Sequence, residues 1–182
     1  MEEIKNADLA IVAGLGSEVA QRQVGQLLRE AGVPFLVGGV YQKGSGGEVF
    51  FVHNHDGPCY ACFAHYLREI EPNVDAKVDY GLDPQEVKAE PGLGVHVGRV
   101  AVATADWALR FLLGSTGNFS GLPGNLLIVA NDEMEIGTDR NGPVILKPGE
   151  GKWLTIRRVE TCLVCSIHGL EQSNTIDELL NQ

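Results

Sequence analysis

Positive charge is scarce in this chain. Its 182 residues hold 14 Lys and Arg against 24 Asp and Glu, a net charge of −10, which opposes attraction to phosphate backbones and anionic lipid. Nucleic acid and membrane surfaces are therefore excluded as expected partners. Aromatic residues make up only 7%, and there is no low-complexity block, internal repeat or clean linker. The opening "MEEIKNADLAIVAG" lacks the basic segment and long apolar core of a secretory signal, so a cytoplasmic location is expected, where thiols stay reduced. Long uncharged apolar runs are also missing. The best candidate, residues 94 to 114, is interrupted by Arg99, Asp106 and Arg110, each costing about 2.5–3.5 kcal/mol at a bilayer centre. It is expected to be a buried helix instead.

A hydrophobic share of 44% and a length of 182 residues suffice for one domain with a full core and no covalent stapling. "ADLAIVA" followed by "GLGS" reads as strand and turn, leading into a helix capped by Ser17 with Glu18 at the positive end of its dipole. Ala20, Val24, Leu27, Leu28 and Ala31 share one face of that helix, Gly32 ends it, and Pro34 prevents its resumption. The β-rich runs "PFLVGGVY" and "EVFFVHN" read as a hairpin over residues 34 to 54. A short helix is expected from Cys59 to Leu67. The polar stretch "EPNVDAKVDYGLDPQEVKAEPG" then reads as a long crossing loop. "NLLIVAN", "PVILK" and "KWLTIRR" read as strands, and "SNTIDELLNQ" as a short terminal helix. The order points to one mixed α/β domain over residues 1–182.

All four cysteines fall in two Cys-x-x-Cys pairs, Cys59/Cys62 and Cys162/Cys165, about a hundred residues apart. Each pair supplies two thiolates from one tight turn, and two such turns complete a tetrahedral, closed structural zinc site. Iron–sulfur ligation, a thioredoxin-type redox pair and local disulfides are the alternatives. A metal here would tie the end of the chain to its middle, and four thiolates would leave no open position for catalysis.

Other motifs carry less chemistry. "GLGSEV" imitates a dinucleotide-binding turn, but the following strand, "FLVGGVY", lacks the acidic residue that holds a ribose, so an ordinary βα turn is expected. His53 and His55 are expected to face solvent. No Ser, Asp or Glu can be assigned from sequence to act with His65, His96 or His168, so no catalytic triad is expected. Asp75, Asp79, Asp83, Glu86 and Glu90 give the crossing loop a solvated acidic character.

"AGVPFLVGGVYQKGSGGEVFFVHNHDGPCYACF", then "AEPGLGVHVGRVAVATADWALRFLLG", then "CLVC" together resemble the later half of the ThiF/MoeB/HesA family, bacterial relatives of ubiquitin-activating enzymes. The resemblance implies a three-layer, Rossmann-like α/β fold with a mixed sheet. It implies that Cys59, Cys62, Cys162 and Cys165 are structural zinc ligands. The segment of about residues 64–91 would be the crossover loop that passes over the substrate's C-terminal tail. The family adenylates the C-terminal glycine of a ubiquitin-like or sulfur-carrier β-grasp protein with ATP and Mg, often as homodimers. The family's glycine-rich ATP-binding unit is not found before Asp8, and its magnesium-associated aspartate is replaced by "AGLGSE". The chain alone is thus expected to have no catalytic residues and to be inactive, with ATP and Mg belonging only to a complete parent enzyme. A β-grasp protein and a homo-oligomer or ATP-binding partner subunit are the expected partners. A non-catalytic, zinc-stabilised module that binds a ubiquitin-like protein is the alternative.

Overall fold

The computed structural model describes residues 2–13, 18–41, 44–53, 57–70, 94–114, 122–162 and 164–165. The elements in chain order are α1 (Glu2–Lys5), β1 (Ala10–Val12), α2 (Glu18–Glu30), β2 (Phe35–Val40), β3 (Gly46–Val52), α3 (Tyr60–Ile70), α4 (Gly94–Leu113), β4 (Leu126–Ala130), β5 (Met134–Asp139), β6 (Gly142–Leu146) and β7 (Gly151–Leu154). Five strands form one sheet in the order β1-β2-β3-β4-β7. β1 runs parallel to β2, whereas β2, β3, β4 and β7 pair antiparallel in turn, so the sheet is mixed.

Alternation along the strands builds two cores. Phe35, Val37, Phe50, Val52, Leu126 and Ile128 face a layer containing Leu28 of α2 and Phe63 of α3, while Ile136 and Leu146 of the β5–β6 hairpin join the same cluster. Leu36, Val49 and Phe51 point the other way, onto Val100, Trp107 and Ala108 of α4. The result is helices, sheet and helix in three layers. All seven residues of β3 are buried, because this central strand is covered on both faces.

Close approach between layers depends on glycine. A Cβ at Gly38 would lie 2.9 Å from Thr104 Oγ1, and one at Gly47 would lie 2.6 Å from Val100 Cγ2. The small residues of "VGG" and "SGG" thus let α4 settle against β2 and β3. At the far end of that contact the rings of Trp107 and Trp153 stack, 4.2 Å apart and 10° from parallel.

Helix α2 ends as expected. Gly32 takes φ 73°, with Gly32 N–H bonded to the Arg29 carbonyl and Val33 N–H to the Leu28 carbonyl, the pattern of a Schellman cap. The expected hairpin over β2 and β3 is present.

Several expectations need correction. The helix after Cys59 continues to Ile70, so the crossing segment does not begin at Ala64. Residues 71–93 lie outside the described residues, as do Ser17, most of the "GLGSEV" turn, His55, His168, the acidic positions Asp75 to Glu90 and the terminal "SNTIDELLNQ". Leu27, placed on the buried face of α2, is 49% exposed. Helix α4 buries only one face, with Val100, Thr104, Trp107 and Ala108 inside, because a single sheet covers it. Of "KWLTIRR", only the first part pairs as a strand. Strand β5 has no counterpart among the expected strands. Its run is punctuated by Gly137 at φ 126° and a register shift between Glu135 and Thr138, which break the period-2 pattern. No helix among the described residues is long and apolar enough to cross a membrane.

Candidate metal centre

The two cysteine pairs meet. Cys59 immediately precedes α3, where its carbonyl accepts from Cys62 N–H at 3.0 Å and Phe63 N–H at 3.2 Å. This first helical turn brings Cys62 back over Cys59, and the helix N-terminus favours thiolate character there. The second pair sits on a turn in which Cys162 N–H bonds to the Val159 carbonyl at 3.1 Å. Val159 N–H in turn donates toward Cys62 Sγ at 3.4 Å, a backbone contact that orients a ligating sulfur. Arg29 of α2 reaches the Gly57 carbonyl at 3.1 Å, fixing the segment that leads into Cys59.

The four Sγ atoms all lie within 4.8 Å of one another. Cys59 lies 3.8 Å from Cys62 and 3.6 Å from Cys162, and Cys62 lies 3.4 Å from Cys165. With metal–sulfur bonds of about 2.3 Å, a tetrahedron has edges of about 3.8 Å; these three separations lie within about 0.4 Å of that edge, and closing the remaining ones, all within 4.8 Å, takes at most about 1 Å around one zinc-sized ion. All four cysteines are free and buried. Burial works against a redox pair, which needs an accessible thiolate.

The electrostatics point the same way. Contact with Cys165 and burial push the Cys62 thiol up to about 11, and a hydrogen bond to Cys165, with Cys62 and burial adding to it, pushes Cys59 up as well. Cys165, accepting from Cys59 and Cys62, is held down. Four sulfurs this close cannot all shed their protons by themselves, whereas a divalent cation among them favours the thiolates. Every sulfur is already assigned, so such a site is closed and suits a clamp rather than catalysis.

The other expected features do not converge. His53 is exposed, its ring against Phe51 and Phe111. His65 is exposed on α3, and His96 is half-buried near the start of α4. These positions do not form a shared metal set with any acid among the described residues.

Sequence reasoning missed Glu48. It lies on β3 with only 8% exposure, its Oε2 has no hydrogen-bond partner, and burial raises its pKa to about 7 despite an opposing hydrogen bond from Tyr41. The only sequence signal was a lone carboxylate opening the apolar run "EVFFV". A second missed feature is the Asn131 junction. Its amide donates to the Gly44 carbonyl at 2.9 Å and its oxygen accepts from Arg99 at 3.0 Å, joining α4 to the β2–β3 loop.

No family model matches the chain, and no curated protein matches it in sequence. Solved structures do match its fold. A heterocyclase solved in complex with substrate and cofactor has a TM-score of 0.59 and 13% identity, over 92% of this chain and 22% of that one. Escherichia coli MccB with MccA-N7isoASN has a TM-score of 0.54 and 14% identity, over 88% of this chain and 41% of that one. MccB with succinimide aligns at 0.51 and 15%, over 90% and 41%. These neighbours belong to the ThiF/MoeB-like fold family, and the chain spans less than half the length of each. At such identities the likeness concerns the fold alone.

Proposed function

We propose that this chain is the C-terminal part of a ThiF/MoeB/HesA-like enzyme that adenylates the C-terminal glycine of a ubiquitin-like or sulfur-carrier protein. The observation that carries the reading is the closed four-cysteine cluster, which ties the start of α3 to the chain beyond β7 within a mixed three-layer sheet. The fold likeness to MccB and the heterocyclase supports it. In this reading Cys59, Cys62, Cys162 and Cys165 hold zinc, which supplies rigidity and no chemistry. In this reading ATP and Mg are bound by a separate nucleotide-binding half or partner subunit, since the resemblance covers only the later half of the family's chain and adenylyl chemistry depends on a phosphate-binding cradle. The acceptor is a β-grasp protein with a free C-terminal glycine.

The test measures metal content, MgATP binding and capture of a β-grasp sulfur carrier on one purified sample. One zinc per chain, no ATP binding by the chain alone, and restored adenylation with an ATP-binding partner would support the proposal. Capture of the carrier unaffected by ATP and by any such partner would instead favour a non-catalytic docking module. Failure to bind the carrier in every condition would sink both.

A further inference from the structure

Helix α2 carries Arg22 and Arg29 two turns apart on one stripe of its surface. Both line a narrow cleft together with Cys59, Ala61 and Val164. Arg29 is anchored there by its bond to the Gly57 carbonyl at 3.1 Å, two residues before the first cysteine. Gly25 lies on the same stripe and sets how close the arginines come. A Cβ at Gly25 would lie 3.3 Å from Phe35 Cζ and 3.6 Å from Tyr60 Cβ, so a larger side chain would push α2 away from the start of α3.

A divalent cation held by four thiolates leaves two negative charges uncompensated, and buried charge is costly unless it is paired. The chain offers no general compensation, since its net charge is −10. The α3 N-terminus and the Val159 N–H, 3.4 Å from Cys62 Sγ, supply partial charges only. The full positive charges of the cleft are Arg22 and Arg29. Among the described residues neither is in an ion pair with a carboxylate, and Glu30, at the end of the same helix, accepts from Gln26 at 2.9 Å.

We propose that Arg22 and Arg29 are the counter-charges of the metal centre, two positioning residues outside the ligand set that set how tightly the four cysteines hold a divalent metal. The inference rests on the reading of Cys59, Cys62, Cys162 and Cys165 as metal ligands.

The test measures zinc affinity of the reduced full chain by competition with a chromogenic chelator, with Co(II) absorption checking four-thiolate ligation in each variant. Arg22→Gln and Arg29→Gln are each expected to weaken zinc about tenfold, and the double variant up to about a hundredfold, the range for groups that support metal ligands. Arg22→Lys and Arg29→Lys keep the charge and are expected to stay near the parent. Added salt should weaken zinc binding more in the parent than in the double glutamine variant, because the parent alone has the two arginine charges to screen. Arg140→Gln makes the same charge change in the β5–β6 turn and is expected to leave affinity unchanged. Equal affinities for the parent and the double variant would overturn the proposal, as would an equal loss with Arg140→Gln. Losses that lysine does not restore and salt does not alter would also overturn it, since a purely structural role produces that result. A reduced chain that takes up neither zinc nor cobalt would sink the metal reading itself, and this inference with it.

Discussion

Cys62 Sγ lies 3.4 Å from Cys165 Sγ although 103 residues separate them in the chain. Closing a loop of that length removes a large amount of unfolded-chain entropy, about 4.7 kcal/mol by analogy with a disulfide, and zinc–thiolate binding adds to it. Cys62→Ser is therefore expected to abolish stoichiometric zinc and to cost several kcal/mol, on the order of the loop-closure term. Elemental analysis and thermal unfolding with and without chelator check this; chelator-insensitive unfolding of the unmutated chain would rule out the clamp.

Glu48 makes stability depend on pH in an unusual direction. The folded state keeps its proton up to about pH 7, against an ordinary value of 4.5, so between these values the unfolded chain binds fewer protons. Stability from this group is therefore fully present below about pH 4.5, falls as pH rises, and levels off above about pH 7. The loss is at most about 3 kcal/mol. Glu48→Gln should remove that slope, so the difference between variant and parent in urea unfolding should grow from pH 4 to pH 8. A constant difference would mean that Glu48 titrates normally.

Glycines at the α4 contact and on its outer face should respond oppositely. Gly47→Ala would drive a methyl group against the Gly39 carbonyl and Val100, and overpacking of this kind costs about 1–3 kcal/mol. Gly98→Ala meets nothing within 4 Å among the described residues, and should raise intrinsic helix stability by about 1 kcal/mol. Denaturant melts of the two variants, taken at concentrations where the chain is monomeric, should shift in opposite directions.

The stacked indoles of Trp107 and Trp153 are the only two tryptophans in the chain, so they report on the α4 layer alone. Trp107, at 1% exposure, should cost about 3–5 kcal/mol when truncated to alanine. Trp153→Phe should keep the fold but remove the coupled indole signal in near-ultraviolet circular dichroism. Persistence of that signal would contradict the stack.

Much of the architecture was readable from local pattern. Gly32 announced the end of α2 because only glycine sits easily at the positive φ of its cap. The glycine-bounded apolar runs announced β2, β3 and β4 because period and β-propensity agreed there. The β5–β6 hairpin was half legible, since the bulge and Gly137 disrupt the alternation that marks a strand. Glu48 was invisible because burial is a property of the neighbours, not of the residue.

By itself the sequence determined the cysteine spacing, the order of most helices and strands, and the glycines that permit close packing, since each of these is set within a few residues of chain. The tertiary structure alone decided that the two cysteine pairs share one site, that Glu48 loses its water, and that α4 offers one apolar face to the sheet and leaves a second outward. Those outcomes depend on which distant segments the sheet brings together, and contact across about a hundred residues is settled by packing of whole layers rather than by any local preference.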